Sequence, residues 1–420
     1  MSTALLPLST RIPLFREFPS DDQGWQTRIA QIDPKRYALT RNHLHGAVTG
    51  LSPYLTHGYL SLTEAAQAIR QRVPLSTDEK LFSEFCWRSF FHHVWSHKDH
   101  AIFSDLRRGL SGVGYDDVLP ADIRQGRTGL PVIDQAVRQL YTTGYLHNHA
   151  RMWLASYVIH LRHIHWRAGA DWLYSHLLDG DLASNHLSWQ WVAGTFSVKP
   201  YLFNADNVAK YAPPEWHCAG SPLDTSYEAL EMIARGQDRH GQRAFELLPH
   251  HPAGHIERIE EPALYHTPPA APQKTVALTA LIELLQSRSE IASLELVHAW
   301  ALRCTSTVQR SREQLLRLGV IHLPEHAQWP WSERRWNFVL DRMSQICDVI
   351  FLGDLAALQS LNRTKTSLYC YLSAGQNDTM KAISRLNPTW CETTPLVTEP
   401  SHLCESFSKY FRHTNKPWGS

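Results

Sequence analysis

The stretch SEFCWRSFF places an acid, an indole and a guanidinium within one helical turn. Glu84, Trp87 and Arg88 are three and four residues apart, so on a helix they share one face. Such a face suits a cleft that holds a planar or phosphorylated ligand. The plainer interpretation is a salt bridge between Glu84 and Arg88 beside a packed tryptophan, and this stretch alone does not separate the two.

Two later stretches carry similar side chains. NHARMW places an amide, a guanidinium and a thioether on one helix face: Asn148, Arg151 and Met152. DGDLASNHLSWQW places two carboxylates, an amide and an indole around one edge of a ligand: Asp179, Asp181, Asn185 and Trp189. Each motif alone is common, because a GD turn often begins a helix.

The segment HGAVTGLSPYLT has the features of a phosphate site. Ser52 followed by Pro53 predicts a helix that the serine caps and the proline begins. Free backbone N–H groups there, with the hydroxyls of Thr49 and Ser52, would suit a phosphate. A capped helix without a ligand has the same signature.

The elements that carry these side chains are predicted to be helices. From about residue 61 to residue 178 apolar residues recur at helical spacing, and Gly, Asp and Pro interrupt the pattern. The predicted helices are LTEAAQAIRQRV, EKLFSEFCWRSFFHHVW, PVIDQAVRQLYTTG, NHARMWLASYVIHLRHI and ADWLYSHLLD. This part of the chain is therefore expected to be all-α.

The rest of the chain is less regular. Residues 213–272 include EPALYHTPPAAPQ, whose content of proline and alanine is typical of a linker. Residues 276–317 are predicted to form two or three helices. ERRWNFVLDRMSQI is predicted to be a helix, and DVIFLGD, SLYCYLS and TPLVTE to be short strands. A small α/β domain is therefore expected from about residue 275 onward.

Composition excludes several classes of protein. With 41 Lys and Arg against 40 Asp and Glu, a net charge of +1 gives no general attraction to nucleic acids or membranes. No apolar run approaches the roughly 18 residues of a membrane span, and MSTALLPLSTRIPLF lacks the basic start of a signal peptide. The 7 cysteines are scattered and include no CxxC pair, which fits a reducing cytoplasm. The histidine groups HLH, HH, HNH and HIH do not point one way on a helix, so no metal site is predicted.

In this order and with these gaps, the motifs resemble one known family. RTGLPVIDQAVRQLYTTGYLHNHARM and HWRAGADWLYSHLLDGDLASNHLSWQW are similar to the FAD-binding region of DNA photolyases and cryptochromes. SPYLTHGYLS and SEFCWRSFF match two earlier motifs of that region. The resemblance runs from about residue 37 to residue 212, and it implies an all-helical domain that holds FAD in a bent conformation.

The resemblance implies roles in cofactor binding for a set of residues. Contacts to the phosphates and the ribityl chain would come from Tyr37, Thr49, Leu51 and Ser52. Arg88 would also touch FAD. The residues around the isoalloxazine and adenine rings would be Asn148, Arg151, Asp179, Asp181 and Asn185. Asp179 would pair with Arg151, Asp181 would accept a hydrogen bond from the flavin, and Asn185 would face its N5 atom, as in photolyases.

A substrate site and an electron path follow from the same resemblance. Glu84, Trp87 and Met152 match positions that hold a pyrimidine dimer flipped out of DNA, which needs a stacking plane and a polar edge. Asn185, beside the flavin, completes this catalytic group. The inner two members of the family's electron-transfer chain would be Trp189 and Trp166. Val113 stands where the third tryptophan is expected, with Tyr115 close by as a substitute.

The chain departs from the family mainly on the DNA side. Gly50 stands where the phosphate-binding loop has an arginine, His149 stands where a basic residue meets DNA, and VKPYLFNADNVAKYAP replaces an Arg-containing FNP run. Each lost cation removes a phosphate contact. Because the resemblance begins near residue 37, the family's N-terminal antenna domain is expected to be missing and no antenna chromophore can be inferred. ERRWNFVLDRMSQI with DVIFLGD leaves open that the tail is a rearranged relic of that domain.

The expected protein is mainly α, with four parts: an N-terminal extension (1–36), a helical FAD-binding domain (37–212), an irregular segment and linker (213–274), and a helical plus small α/β domain (275–420). The expected function is light-driven electron transfer that repairs pyrimidine dimers in damaged DNA, which is the activity of a deoxyribodipyrimidine photo-lyase. No association with a membrane is expected. The alternatives are a cryptochrome-like blue-light sensor without repair and a flavoenzyme with another substrate. A helical nucleic-acid-binding module without FAD is opposed by the retained Arg151, Asp179 and Asp181.

Overall fold

In the computed structural model, the first half of the chain is built almost entirely of helices. The structure describes residues 17–246, 259–306, 308, 313–363, 366–373, 375 and 377–414, so MSTALLPLSTRIPLF lies outside the described residues. The helices of this half are α1 (Asp22–Gln31), α2 (Pro34–Thr40), α3 (Ser52–Thr56), α4 (Leu62–Arg70), α5 (Lys80–Lys98), α6 (Ala121–Arg124), α7 (Pro131–Thr143), α8 (Asn148–Ser156), α9 (Trp166–His176), α10 (Leu182–Ala193) and α11 (Ala205–Tyr211).

Four of the five predicted helices of this half are confirmed as single helices, and local signals explain their ends. Ser61 and Glu64 form a capping box at the start of α4. Pro131 begins α7, and Gly144 ends it in the left-handed conformation, at φ 68°. The stretch predicted as one long helix from residue 148 divides instead into α8 and a π-helical turn, Tyr157–Leu161.

The second half mixes helices and strands. Its helices are α12 (Tyr227–Ala234), α13 (Arg239–Glu246), α14 (Leu278–Ser287), α15 (Leu323–Gln328), α16 (Glu333–Ile346), α17 (Asp378–Ser384) and α18 (Phe407–Thr414). Its strands are β1 (Leu264–Tyr265), β2 (Ser293–His298), β3 (Leu315–His322), β4 (Trp331–Ser332), β5 (Val349–Gly353), β6 (Ser367–Tyr371) and β7 (Thr389–Cys391). The predicted linker is wrong at β1, which pairs antiparallel with β4.

Five of these strands form one parallel sheet in the order β5-β3-β2-β6-β7. The chain begins at the central strand β2, proceeds outward through β3 to β5, and then crosses to β6 and β7 on the other side. Helices such as α16, which precedes β5, connect strands that run in the same direction. The expected α/β character of the tail is therefore present as a five-stranded sheet.

Two expectations about the tail are wrong. The described residues between 276 and 317 form one helix and two strands rather than two or three helices. β2 is buried along its whole length, and a strand buried on both faces has no alternating pattern that separates it from a buried helix. TPLVTE is not a strand; the last strand among the described residues is β7, a few residues earlier.

The carboxyl edge of the sheet packs directly on the helical half. The backbone N–H of Leu302 donates to the carbonyl of His57 at 2.9 Å, and the His57 ring lies between the carbonyl oxygens of Ala299 and Leu178. Gly58 is required here, because a Cβ at this position would lie 2.3 Å from the carbonyl oxygen of Trp300. One core therefore joins the two halves. Among the described helices, none is both long and apolar enough to cross a membrane.

Candidate functional site

The predicted site residues converge on one cavity of about 690 Å³ in the helical half. A cavity of this size lies within the range of about 300–1,000 Å³ that cofactor sites occupy. The predicted residues that line it are Tyr37, Thr49, Ser52, Glu84, Trp87, Arg88, Asn148, Arg151, Met152, Asp179, Asn185 and Trp189. Leu51, Asp181 and Trp166 lie outside this lining.

The predicted pair of Arg151 and Asp179 forms one wall of the cavity. Nη2 of Arg151 donates to both carboxylate oxygens of Asp179, at 2.9 and 2.7 Å, and Nε donates to the carbonyl of Leu146 at 2.9 Å. The Asp179 side chain is 3% exposed, whereas that of Arg151 is 24% exposed. The pair is thus buried on the carboxylate side and open to the cavity on the guanidinium side.

The turn that carries Asp179 is held from the C-terminal half by Arg335 of α16. The guanidinium of Arg335 donates to the carbonyls of Tyr174 at 3.0 Å and Gly180 at 2.5 Å, and it lies over the Trp331 ring. A Cβ at position 180 would approach Arg335 Nη1 to 2.4 Å, so the turn needs its glycine. Arg335 is fully buried and does not line the cavity. It positions the turn between the two carboxylates.

Asp181 is occupied by protein partners. It caps α10 by accepting from the Ser184 N–H at 2.7 Å, and its other oxygen contacts His92 Nε2 at 3.0 Å and Arg88 Nη2 at 3.4 Å. Burial alone would raise the pKa of Asp181, but His92 and Arg88 hold it well below its usual range. Asp181 therefore stays ionised and fixes Arg88 at the cavity wall.

Glu84 does not pair with Arg88. Its carboxylate contacts Lys80 at 2.7 Å, one turn earlier on α5, and Arg41 at 3.3 Å. All three side chains are partly exposed and line the cavity. The spacing suggested a salt bridge between Glu84 and Arg88, but each of the two pairs with other residues. Glu84 and Arg88 both still line the cavity.

One ring face of Trp87 is covered by the last described helix. Phe407 of α18 stacks on the indole with ring centroids 3.9 Å apart and planes inclined by 9°. Phe411, one turn later, stacks in turn on Phe407 at 5.4 Å. Trp87 still lines the cavity with its remaining surface. A planar ligand that stacks on the covered face of Trp87 must first displace Phe407.

The predicted phosphate segment has a different local geometry from the one expected. Helix α3 starts at Ser52, its N-cap is Leu51 rather than Ser52, and no side chain caps it. Thr49 Oγ1 accepts from the Leu51 N–H at 3.3 Å. Leu51 is fully buried and does not line the cavity, whereas Thr49 and Ser52 border it.

Helices α8 and α10 bring the remaining predicted residues to the cavity. Asn185 Nδ2 donates to the carbonyl of Ala170 at 2.8 Å, which fixes the amide. The Trp189 ring packs against Gly169, where a Cβ would lie 2.3 Å from the ring. Asn148 and Met152 face each other one turn apart on α8, with Nδ2 and Sδ at 3.5 Å.

Aromatic side chains continue from the cavity toward the surface. Trp166 is buried and donates from Nε1 to Asp105 at 2.7 Å. The His165 ring lies 5.6 Å from Trp166 and 6.4 Å from Tyr115. Burial raises the pKa of Tyr115 to about 12. Tyr115 is therefore connected to Trp166 through one imidazole.

The charges of the lining fit a ligand with phosphates. Four cations line the cavity against two carboxylates, Glu84 and Asp179, and the cations are Arg41, Lys80, Arg88 and Arg151. The Oγ atom of Ser184 is buried, borders the cavity and has no hydrogen-bond partner among the described residues. An excess of positive charge, an orphaned hydroxyl and flat aromatic walls are the features that FAD, an anionic and largely planar cofactor, requires.

The structure adds residues that the motifs did not single out. Arg41 and Lys80 line the cavity, His92 holds Asp181, and Arg335 and Phe407 reach the site from the C-terminal half. Lys80 had a signal, since it lies four residues before Glu84. The other four approach only through the fold.

Comparison with known proteins identifies this region. Residues 81–214 match the family described as the FAD binding domain of DNA photolyase. The chain is 38% identical to a deoxyribodipyrimidine photo-lyase of Streptomyces griseus over 149 residues, which is 36% of this chain and 32% of the relative. It is 32% identical to a cryptochrome DASH of Gloeobacter violaceus over 242 residues, which is 53% of this chain and 47% of the relative.

The chain thus spans about a third to a half of the length of these curated relatives. Among solved structures, a Synechocystis cryptochrome is 27% identical, with a TM-score of 0.41, and the match covers 47% of this chain and 44% of the other. The resemblance carried by the motifs is confirmed at the level of the domain: residues 81–214 are a photolyase-type FAD-binding domain, and its cofactor is FAD.

Proposed function

We propose, starting from the photolyase-type FAD-binding domain at residues 81–214, that the chain catalyses light-driven repair of pyrimidine dimers in damaged DNA. The observation that supports this is the shared cavity: Arg151 and Asp179, which we assign to the flavin, border the same space as Glu84 and Trp87, which we assign to the dimer. When bound, FAD supplies the absorption of light and the electron. The chain supplies binding, orientation and electrostatics.

The cofactor side of the cavity is proposed to work through fixed charges. Arg151, oriented by Asp179, would lie against the flavin, and the cations Arg41, Lys80 and Arg88 would face the phosphates. The remaining contacts are assigned to Tyr37, Thr49, Ser52, Asn148 and Asn185, whereas Leu51 is buried outside the lining. Direct contact of Asp181 with the flavin would require one of its three partners to give way, so we assign Asp181 the task of holding Arg88.

The substrate side is proposed to be Trp87, with Glu84 and Met152 beside it. A base stacked on an aromatic side chain gains about 1–3 kcal/mol. The stacked pair of Trp87 and Phe407 gains about 0.5–1.5 kcal/mol beyond burial. A flipped base can therefore compete with Phe407 for the indole, and Glu84, which is partly exposed, is free to turn from Lys80 toward a polar edge of the base.

The electron path to the flavin is proposed to run from Tyr115 through Trp166 to Trp189. Trp189 lines the cavity, Trp166 is buried in the same hydrophobic cluster, and the partly buried Tyr115 packs against that cluster. The imidazole of His165 separates Tyr115 from Trp166, so electron transfer from Tyr115 to Trp166 would be the slow step of the path.

We further propose that residues 37–212 form the catalytic domain and residues 275–420 a small α/β domain that supports it. Arg335 of α16 holds the turn between Asp179 and Asp181, and α18 covers Trp87. The C-terminal domain would thus act on both sides of the cavity, the cofactor side and the substrate side.

A blue-light sensor without repair activity is the second candidate, and the cover on Trp87 favours it. The loss of DNA-side cations also favours a sensor. Burial, with the charges of Arg41 and His43 nearby, lowers the pKa of His149 to about 4. This side chain is therefore neutral at pH 7 and offers no positive charge to a DNA phosphate. In a sensor, the stack of Phe407 on Trp87 would be a permanent part of the fold rather than a displaceable cover.

One experiment separates the two candidates. The FAD-loaded protein, reduced, is mixed with a single-stranded oligonucleotide that contains one pyrimidine dimer, and dimer loss is measured in blue light and in the dark. Repair predicts light-dependent loss of the dimer and tighter binding to damaged than to intact strands. Trp87→Ala should abolish this preference while retaining FAD, and Phe407→Ala should increase it by uncovering the indole.

The salt dependence of binding and the FAD content of each sample are measured as controls. Binding should weaken only slightly with salt, since few phosphate contacts remain. If neither the parent protein nor Phe407→Ala repairs the dimer in light or prefers damaged DNA at low salt, the repair function is wrong. Retention of FAD in the same samples would then favour the sensor.

A further inference from the structure

We propose that His402, Cys404 and His413 form a binding site for a zinc ion that fastens α18 to the helical half. The ligand atoms of these three side chains lie within 4.8 Å of one another. None of the three lines the cavity assigned to FAD. The sequence predicted no metal site because neither the cysteine spacing nor the histidine groups brought ligands together locally; these three meet only where α18 folds back on the loop before it.

The three side chains are arranged as an accessible site. Cys404 is 1% exposed, whereas both histidines are exposed. The two imidazole rings stand nearly perpendicular, at 84°, with centroids 4.9 Å apart. The thiol therefore forms the floor and the imidazoles form the rim, which leaves an ion an open path from solvent.

The donor set selects the kind of ion. One thiolate and two imidazoles are soft to borderline ligands, which suit zinc and do not suit magnesium or calcium. With bonds of about 2.0–2.3 Å, tetrahedral ligation places ligand atoms roughly 3.3–3.6 Å apart. The exposed histidines need to approach by only about 1 Å, which side-chain rotation supplies, and water takes the fourth position.

Hydrogen bonds already attach this segment to α5. The Cys404 N–H donates to Nε2 of His93 at 2.9 Å, and the other ring nitrogen of His93 contacts Glu399. Tyr410 of α18 donates to the same carboxylate at 3.0 Å. Because His413 stands in the last turn of α18 and Cys404 before its first, one ion joins both ends of the helix to a loop that α5 already holds.

The ion has a consequence for Trp87. Phe407, which covers the indole, lies between the two ends that the ion joins. Zinc binding therefore strengthens the cover without touching the cavity, and removal of zinc loosens it. This consequence depends only on the position of α18 and holds whichever reaction the cavity performs.

The test uses the untagged, FAD-loaded chain of 420 residues. Zinc is titrated against a chromophoric chelator, and the cobalt-substituted protein is examined for a thiolate-to-cobalt charge-transfer band. We expect one zinc per chain and that band. His402→Gln and His413→Gln, at exposed positions, should each weaken zinc binding by more than roughly 100-fold, since even outer partners of a ligand are worth about 10- to 100-fold. Cys404→Ala should remove the band.

Matched controls separate this site from general histidine or thiol binding. His240→Gln and Cys304→Ala, at exposed positions elsewhere, should leave the stoichiometry and the band unchanged. Zinc should also slow amide exchange in residues 402–414 of the parent protein but not of His413→Gln. A stoichiometry that His402→Gln and His413→Gln do not lower, or a parent protein that the chelator strips at once, overturns the proposal. Both results are independent of any assay of repair.

Discussion

Replacing Asp179 by alanine tests the placement of the flavin. Arg151 would lose both hydrogen bonds to the carboxylate and keep the one to the Leu146 carbonyl. Stranding one member of a buried ion pair costs about 3–5 kcal/mol. Since Arg151 retains some access to water, we take the lower limit, about 3 kcal/mol, which corresponds to roughly 150-fold in an equilibrium constant. If the pair forms the flavin wall, most of this loss falls on FAD affinity.

The assay is the ratio of flavin to protein after purification, followed by titration of the flavin-free protein with FAD. Asp179→Ala should emerge largely without flavin and bind FAD about two orders of magnitude more weakly than the parent. Glu231→Ala, which removes an exposed ion pair with Arg235 on α12, is the control and should behave as the parent does. Full flavin occupancy with an unchanged spectrum in Asp179→Ala would show that the isoalloxazine ring lies elsewhere.

Four further outcomes are expected. Trp189→Phe should slow photoreduction of the flavin severely under blue light with an external reductant; photoreduction at the parent rate would exclude Trp189 as the inner donor. Tyr115→Phe should slow it less, because one imidazole intervenes, and an unchanged rate would mean that the path ends at another residue. Arg335→Met should lower the flavin-to-protein ratio of the folded protein, and Arg335→Lys, which keeps the charge, should lower it less; equal occupancy in all three would remove Arg335 from the site. Burial raises the pKa of Glu325 from 4.5 to about 7, so the folded protein favours the neutral acid and the free energy of unfolding decreases as pH rises between these values. Glu325→Gln should make the decrease in unfolding free energy between pH 4.5 and pH 8 smaller by about 3 kcal/mol. An unchanged decrease would show that Glu325 is not the titrating group.

The helices of the first half were predictable because each has its own local signature. α4 and α7 are amphipathic, and capping residues, prolines and glycines mark their ends. β2 and β3 were not predictable in the same way, since both are buried almost throughout and their apolar runs fit a buried helix equally well. The signal that separates them is the sheet itself, which pairs residues far apart in the sequence.

The candidate site was likewise predictable where it depends on spacing within one helix and not where it depends on contacts between distant segments. Spacing on α5 and α8 placed Glu84, Trp87 and Arg151 toward a common ligand, and the cavity contains all three. Spacing also suggested a pair between Glu84 and Arg88, but Glu84 pairs with Lys80 on the same helix and with Arg41, and Arg88 pairs with Asp181. The pair with Lys80 has the helical spacing that a local pattern can show. The pairs with Arg41 and Asp181 could not be predicted locally, because they form only where the fold brings opposite charges close together.

We propose that the turn between the two carboxylates couples the cofactor to the sheet. Its glycine carbonyl accepts from Arg335, its first carboxylate holds Arg151 and its second holds Arg88, so one short segment joins α16 to two cations of the cavity wall. A ligand that binds only the folded arrangement stabilises it by about 2.7 kcal/mol at 100 times its dissociation constant. Since such coupling is reciprocal, whatever FAD contributes to the order of this turn also strengthens the docking of α16, and loosening α16 weakens FAD by the same factor. On this proposal the C-terminal half contributes to the free energy of FAD binding, although Arg335 lies outside the cavity lining.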